Sequence, residues 1–198
     1  MTKDRAVSSR PQDRDGFRFR GGSASLDLAS TLQARLKPTP RELLVAPGDL
    51  DRWLVSAGLV PTSPGVTDAD LATAHALREA IFAIAGGVAG SGFDADARNA
   101  LNQIAAAPAA VPVLSEDGSV ALEGSVTEVL SYLARQAIQL FGSSEAAHVH
   151  QCQSASCTIF FVDTSRSGDR RWCSMSACGN NAKVAEFRRR KRAPTSDV

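Results

Sequence analysis

The strongest constraint on this 198-residue chain is its set of four cysteines, all within 27 residues near the C-terminus. Cys152 and Cys157 form one pair and Cys173 and Cys178 the other, with four residues inside each pair and 15 between the pairs. Two short pairs of this kind can each curl so that both thiolates face one centre, which is what a tetrahedral zinc ion requires. Disulfides and a redox site are the competing readings. Met1 to Gly16 is charged and polar with no apolar export segment, so a reducing cytosolic setting is expected, and that disfavours structural disulfides. Four thiolates close the coordination sphere and leave no position for a reactive water, so the expected zinc is structural.

His148 and His150 precede Cys152 closely enough to offer ligands. With four thiolates available, they read instead as side chains of a strand leading into the first cysteine knuckle. His75, alone on a helical stretch, reads as packed or solvated.

Charge is distributed unevenly. Residues 1–150 carry 13 Lys and Arg against 17 Asp and Glu, a net of −4, whereas residues 151–198 carry 9 against 4, a net of +5. The positive excess is concentrated in Arg188-Arg189-Arg190-Lys191-Arg192. A terminal arginine run can simply be solvated, but joined to a metal module it reads as a phosphate-contacting element. No stretch approaches the roughly 20 apolar residues that span a bilayer, so a cytoplasmic protein without a membrane partner is expected.

The apolar pattern predicts a mainly α fold with small β elements, an α+β protein in which a helical N-terminal domain precedes a treble-clef-like finger. Residues 1–16 read as a disordered tail, 17–145 as a regulatory domain, and 146–198 as the finger with its basic terminal helix. Phe17-Arg18-Phe19-Arg20 alternates like a strand. Leu28, Leu32 and Leu36 predict one helix ending before Pro38, and Asp49 is expected to cap a second helix carrying Leu50, Trp53 and Leu54. Thr67 with Asp70, and Ser125 with Glu128, are capping boxes that open two long amphipathic helices. Ala95 to Ala107 predicts another helix, and Val113 and Val120 flank a turn that predicts a hairpin. After Gly142 the order is knuckle, hairpin through Thr158 to Val162, second knuckle, then a helix from Asn180. Val184 and Phe187 on that helix are expected to pack on Phe160, Phe161 and Trp172. So small a finger needs zinc for much of its folding free energy.

At Cys152, Cys157, Trp172-Cys173, Cys178-Gly179-Asn180, Lys183 and the Arg188 to Arg192 stretch, the last 48 or so residues resemble the CGNR zinc-finger family of bacterial proteins. The run reads Cys-Gly-Asn-Asn, with Asn181 where the family motif has arginine. Leu26-Asp27-Leu28-Ala29-Ser30-Thr31-Leu32, with Leu50, Trp53-Leu54 and Gly58-Leu59, resembles the ABATE domain that accompanies this finger. Proteins of this family are described as stress-responsive transcription regulators. The resemblance implies a sensing or regulatory domain joined to a DNA-binding finger.

In that reading Lys183, Arg188, Arg189, Arg190, Lys191 and Arg192 contact phosphates, and Asn180 and Asn181 either reach a base edge or cap the helix. Asp27, Thr31 and Arg35 fall at helical spacings of four, and Arg78 interrupts an apolar stripe. They are the candidates for holding an anionic effector, against the alternative of a solvated helix face. The expected partners are double-stranded DNA, an anionic small molecule and a second copy of the chain. A protein–protein adaptor built on the zinc module is the rival reading. An enzyme is not expected, because the N-terminal part shows no Ser/His/Asp order, phosphate-cradling glycine loop or carboxylate–histidine cluster.

Overall fold

The computed structural model describes residues 12–192 except 93 and 117. A strand pair, β1 (Asp13–Arg14) and β2 (Phe17–Arg18), leads to α1 (Ala24–Ala29), a second pair, β3 (Leu32–Gln33) and β4 (Arg41–Glu42), and α2 (Pro47–Ala57). Then come α3 (Asp68–Gly86) with a π turn at Gly87–Ser91, α4 (Ala95–Ala106), the hairpin β5 (Val111–Leu114) and β6 (Val120–Glu123), and α5 (Val126–Phe141). The finger contributes the hairpin β7 (Val149–Gln151) and β8 (Phe160–Val162), a π turn at Met175–Gly179, and α6 (Asn180–Arg192). Every sheet among the described residues is a two-stranded antiparallel pair, so helix packing builds the body of the molecule.

Helix α3 is its axis, with α1, α2, α4 and α5 packed around it. It buries Leu71, Ala74, Leu77, Ile81 and Ile84 against Leu26, Leu28, Trp53, Leu54, Leu130 and Leu133. Both capping boxes form: Thr67 Oγ1 accepts from Asp70 N and Ser125 Oγ from Glu128 N, while the Asp70 and Glu128 carboxylates accept the N–H groups of Thr67 and Ser125. These bonds satisfy amide donors that a helix start otherwise leaves bare. Helix α3 with its following turn is also long and apolar enough to cross a membrane by length and composition, which the sequence pattern did not suggest. Its apolar face is occupied by the protein's own core.

Three expectations are corrected. The helix predicted through Leu28, Leu32 and Leu36 stops at Ala29. Ser30 and Thr31 hydroxyls donate to the carbonyls of Asp27 and Leu28 at 2.8 Å each, and Ala34 has a φ of 54°. Local side-chain bonds of this kind compete with helix continuation, and Leu36 ends 74% exposed. Helix α2 starts earlier than expected, with Pro47 at its first turn and Asp49 three residues past the N-cap Ala46. Asp49 Oδ2 accepts the Val45 and Ala46 N–H groups at 2.9 Å each, so it stabilises the helix start from inside. Finally, Asp13 and Arg14, within the segment expected to be a tail, pair with β2; residues 1–11 lie outside the described residues.

The β7–β8 hairpin serves two cores. Successive side chains on a strand point to opposite faces. Phe160 turns into the helical core, meeting the Phe82 ring edge-on at 5.2 Å between centroids, whereas Phe161 is fully buried among the cysteines with Ile159. The Val162 N–H donates to the Gly21 carbonyl at 2.9 Å, joining the hairpin to the loop before α1. Because the hairpin fills both cores, Val184 and Phe187 do not pack on Phe160 or Phe161 as expected; they are 48% and 58% exposed.

Candidate metal centre

The first knuckle is closed by two backbone bonds, Cys157 N–H to the Ser154 carbonyl and Cys152 N–H to the Ile159 carbonyl, both at 2.9 Å. The second is closed by Gly179 N–H to the Ser174 carbonyl at 3.1 Å. Glycine at 179 lets Met175 and Trp172 pack close: a Cβ there would lie 2.6 Å from Met175 Sδ and 3.2 Å from the Trp172 ring, so those side chains would have to shift. The two knuckles face each other, and Cys152, Cys157, Cys173 and Cys178 are all buried with sulfurs within 4.8 Å of one another.

The sulfur separations identify what this cluster is for. Cys157 Sγ lies 3.8 Å from Cys173 Sγ, which lies 3.7 Å from Cys178 Sγ. A disulfide would bring sulfurs to about 2.05 Å. A tetrahedron with metal–sulfur bonds of about 2.3 Å has edges of about 3.8 Å, so the residues fit a zinc ion. Without a cation the sulfurs cannot share the space as anions: hydrogen bonds from Cys157 and Cys173 favour the Cys152 thiolate, while Cys152 pushes the Cys157 and Cys173 thiols upward. A divalent ion resolves this conflict by accepting all four as thiolates. The centre is that of one structural zinc. His148 and His150 stay outside it among the described residues; His150 stands against the Phe161 ring at 6.2 Å.

Two arginines support the centre, and neither stood out in the sequence. Arg170 Nε donates to the Trp172 carbonyl at 2.8 Å, its Nη2 donates to the Cys173 carbonyl, and its guanidinium lies 4.6 Å from the Phe161 ring centre. Its amide N–H donates to Asp163 Oδ2 at 2.7 Å; bonds from Ser165, with that one, hold the Asp163 carboxyl down to about 2. The only sequence signal for Arg170 is its place just before Trp172-Cys173. Arg20 comes from the N-terminal part. Burial lowers its proton affinity, but Asp13 and the Cys173 sulfur more than offset this and raise it, so a cation of one module stands beside the thiolates of the other.

Helix α6 begins as the second knuckle ends. Asn180 Nδ2 donates to the Ser176 carbonyl at 3.2 Å, tying the helix start to the π turn. Asn181, Lys183, Arg188, Arg189, Arg190 and Lys191 are all exposed, and Arg192 is the last residue of α6. Glu186 pairs with Arg189 at 2.7 Å and with Arg190 at 3.0 Å, whereas Lys183 and Arg188 enter no ion pair among the described residues.

Asp27, Thr31 and Arg35 do not share a helix face, because α1 ends at Ala29. Asp27 accepts the Gly21 N–H at 2.7 Å, and burial pushes its carboxyl up to about 7. Thr31, Arg35 and Arg78 do meet, around Glu42 and Glu79. Arg78 Nη1 donates to Glu42 at 2.6 Å and more loosely to Thr31 at 3.5 Å, and its Nε donates to Glu79 at 2.9 Å. Arg35 donates to both oxygens of Glu79 and lies 4.0 Å from the Phe82 ring centre. Two guanidinium groups thus face two carboxylates of their own chain, and His75 Nε2 approaches the Leu44 carbonyl at 2.9 Å beside them.

Comparison with known proteins agrees with this architecture. The family model ABATE, described as "Putative stress-induced transcription regulator", matches residues 22–144, and the CGNR zinc finger matches residues 148–191. No curated protein matches the chain. A helical body matched over more than half the chain, followed by a four-cysteine centre at the matched finger, places this protein in the ABATE family, with a CGNR zinc finger as its C-terminal part.

Proposed function

We propose that this protein is a DNA-binding transcription regulator, in which zinc fixes the start of α6 and α6 presents its basic side chains to the phosphates of duplex DNA. The observation that carries the reading is the exposure of Lys183 and Arg188 to Lys191 on a helix anchored directly to the metal centre. Such contacts position a protein on DNA without reading its sequence. The pairing of Arg189 and Arg190 with Glu186 is no obstacle, because ion pairs this exposed are weak and exchange readily for phosphate. In this scheme the N-terminal domain acts in the cytoplasm as the regulatory partner, not as an enzyme. Its influence reaches the finger through Phe82 against Phe160 and through Arg20 beside Cys173. An effector, if anionic, would have to displace Glu42 or Glu79 to reach Arg35 and Arg78.

A second reading, a protein–protein adaptor, is favoured by one observation: Met175, Val184 and Phe187 form exposed apolar surface on the finger. Duplex binding at graded salt separates the two. Each phosphate contact contributes about −0.9 to the log–log slope of affinity against salt, so four or five contacts give about −4. Arg189→Ala with Arg190→Ala is expected to remove up to about two units of that slope. An unchanged affinity and slope in this variant would remove α6 as the DNA-contacting element and favour the adaptor.

A further inference from the structure

Beside the metal centre, the N-terminal module and the finger enclose a cleft of about 440 Å³. Its N-terminal wall carries Arg18 on β2, Arg41 on β4, and Lys37 in the loop between β3 and β4; its finger wall carries Ser154, Ser156 and Asn181. Asp13 is the one carboxylate among the described lining residues, and it is taken by Arg20, which donates to it through Nε at 3.1 Å and Nη2 at 2.5 Å. Arg18, Lys37 and Arg41 enter no ion pair among the described residues, and Lys37 and Arg41 are exposed.

Charge decides what this cleft can accept. Arg18, Arg20, Lys37 and Arg41 supply four positive charges. Asp13 removes one and a zinc tetrathiolate, of which Cys157 and Cys178 line the cleft, removes two, leaving a net positive cleft. Asp13, itself exposed, is engaged by Arg20. Arg18, Lys37 and Arg41 keep their charge unpaired among the described residues, with Lys37 and Arg41 exposed, so the cleft attracts an anion even with the metal bound.

The position of the cleft identifies the anion. Asn181 and Ser154 also line a neighbouring groove whose far side carries Ala185 and Arg189 of α6. Residues 181, 185 and 189 follow one another at spacings of four and so share a helix face. One surface therefore runs from Arg189 along α6 to Asn181, across the finger, and onto Lys37 and Arg41. Arg18 and Arg41 suit phosphate oxygens through their forked guanidinium donors, and Lys37 through its point charge.

We propose that the β3–β4 loop is part of the DNA-contacting surface: Arg18, Lys37 and Arg41 each contact a backbone phosphate of the same duplex whose other phosphates meet α6. This rests on the reading of α6 as a DNA-contacting helix and extends it to the N-terminal domain. It makes that domain a direct participant in binding, so any movement of the β3–β4 loop changes DNA affinity without altering the finger.

The test uses the full-length, zinc-loaded protein and a fluorescein-labelled duplex, titrated at several salt concentrations. Four proteins are compared with wild type: Lys37→Ala/Arg41→Ala, Arg189→Ala/Arg190→Ala, Lys37→Ala alone, and Arg98→Ala as a charge control on the exposed face of α4. Zinc content and circular dichroism confirm that each is folded. Lys37→Ala/Arg41→Ala is expected to lower the salt slope by up to about two units and Lys37→Ala by about one, with Arg98→Ala close to wild type. If the Lys37/Arg41 variant instead matches Arg98→Ala while Arg189→Ala/Arg190→Ala loses slope, this inference is wrong and the α6 reading stands. Loss of slope in the Lys37/Arg41 variant with none in the Arg189/Arg190 variant removes α6 and overturns the proposal of one surface shared with it. A wild-type protein that does not bind the duplex at low salt overturns both. Pyrophosphate serves as the remaining probe: tight binding of it that depends on Lys37 and Arg41, with no change in duplex affinity, would make this a small-anion site and overturn the proposal.

Discussion

The helical body and the finger stabilise themselves by different means, although one hairpin belongs to both. The body buries a continuous set of large side chains, including Trp53, Leu54, Leu77, Ile81, Leu130 and Leu133. The finger's core consists of four cysteines, Ile159 and Phe161, with Trp172 at its margin. Apolar burial contributes about 25 cal/mol per Å², and the second set has far fewer apolar side chains to bury than the first. Adjacent residues show the division: Phe160 adds to a core that would exist without it, while Phe161 completes one that needs a metal. The hydrophobic effect accounts for the body, whereas coordination chemistry accounts for the finger.

Removing zinc is the strongest way to test this division. Structural zinc in small fingers contributes an apparent ~10–16 kcal/mol at neutral pH. A chelator is therefore expected to melt the two knuckles and release α6 while the helical signal of α1 to α5 persists. Metal analysis should find one zinc per chain, and Cys157→Ser or Cys178→Ser should lose it. A single cooperative collapse of the whole chain on chelation would show that the body depends on the metal too.

The neighbouring phenylalanines give a finer test. Truncating a buried Phe costs about 3–5 kcal/mol. Phe160→Ala is expected to lower the melting temperature of the helical body, and Phe161→Ala to speed zinc loss to a chelator with little change in that melting. Identical effects from the two would mean the hairpin does not separate the cores.

Asp27 adds a dependence on pH confined to the body. Its folded-state carboxyl is raised by burial to about 7 from an ordinary value of 3.8. The folded protein therefore binds this proton more tightly than the unfolded chain, and stability falls as pH rises between the two values. At about pH 8 the ionised group costs on the order of a few kcal/mol. Asp27→Asn keeps an acceptor for the Gly21 N–H, so thermal melts should show it more stable than wild type at about pH 8 and similar at about pH 4. Equal melting differences at both pH values would contradict the buried-carboxyl account.

The smallest expected effect belongs to a helix cap. Ser125→Ala should cost the body about 1 kcal/mol in denaturant melts and leave zinc affinity unchanged.

What the sequence made legible follows the same division. The cysteine spacing located the metal centre, and the Thr67 and Ser125 boxes located two helix starts, because both are local rules acting over a few residues. The misreadings came where local patterns compete. Leu28, Leu32 and Leu36 have helical spacing, but the Ser30 and Thr31 hydroxyls take the carbonyls of Asp27 and Leu28 and stop the helix. Val184 and Phe187 also have helical spacing, yet the place expected for them is filled, because β8 sends Phe160 and Phe161 in opposite directions. Arg20 beside Cys173, and the meeting of Arg78 with Glu42, join residues far apart in the chain, and no spacing rule reports such pairs.

The Val162–Gly21 bond and the burial of Phe160 against Phe82 bear on where this chain can be cut. A boundary near residue 146 divides the two matched families cleanly on paper. Physically, a fragment ending there leaves Phe82 without its partner ring and the Gly21 carbonyl without its donor, while a fragment starting there carries Val149 and Phe160 as bare apolar surface. Each piece would begin its separate existence with a sticky face matched to the other. Moving the cut past Val162 does not help, because the hairpin carries Cys152 and Cys157 and the finger would lose half of its zinc ligands, so the two parts are best expressed as one chain.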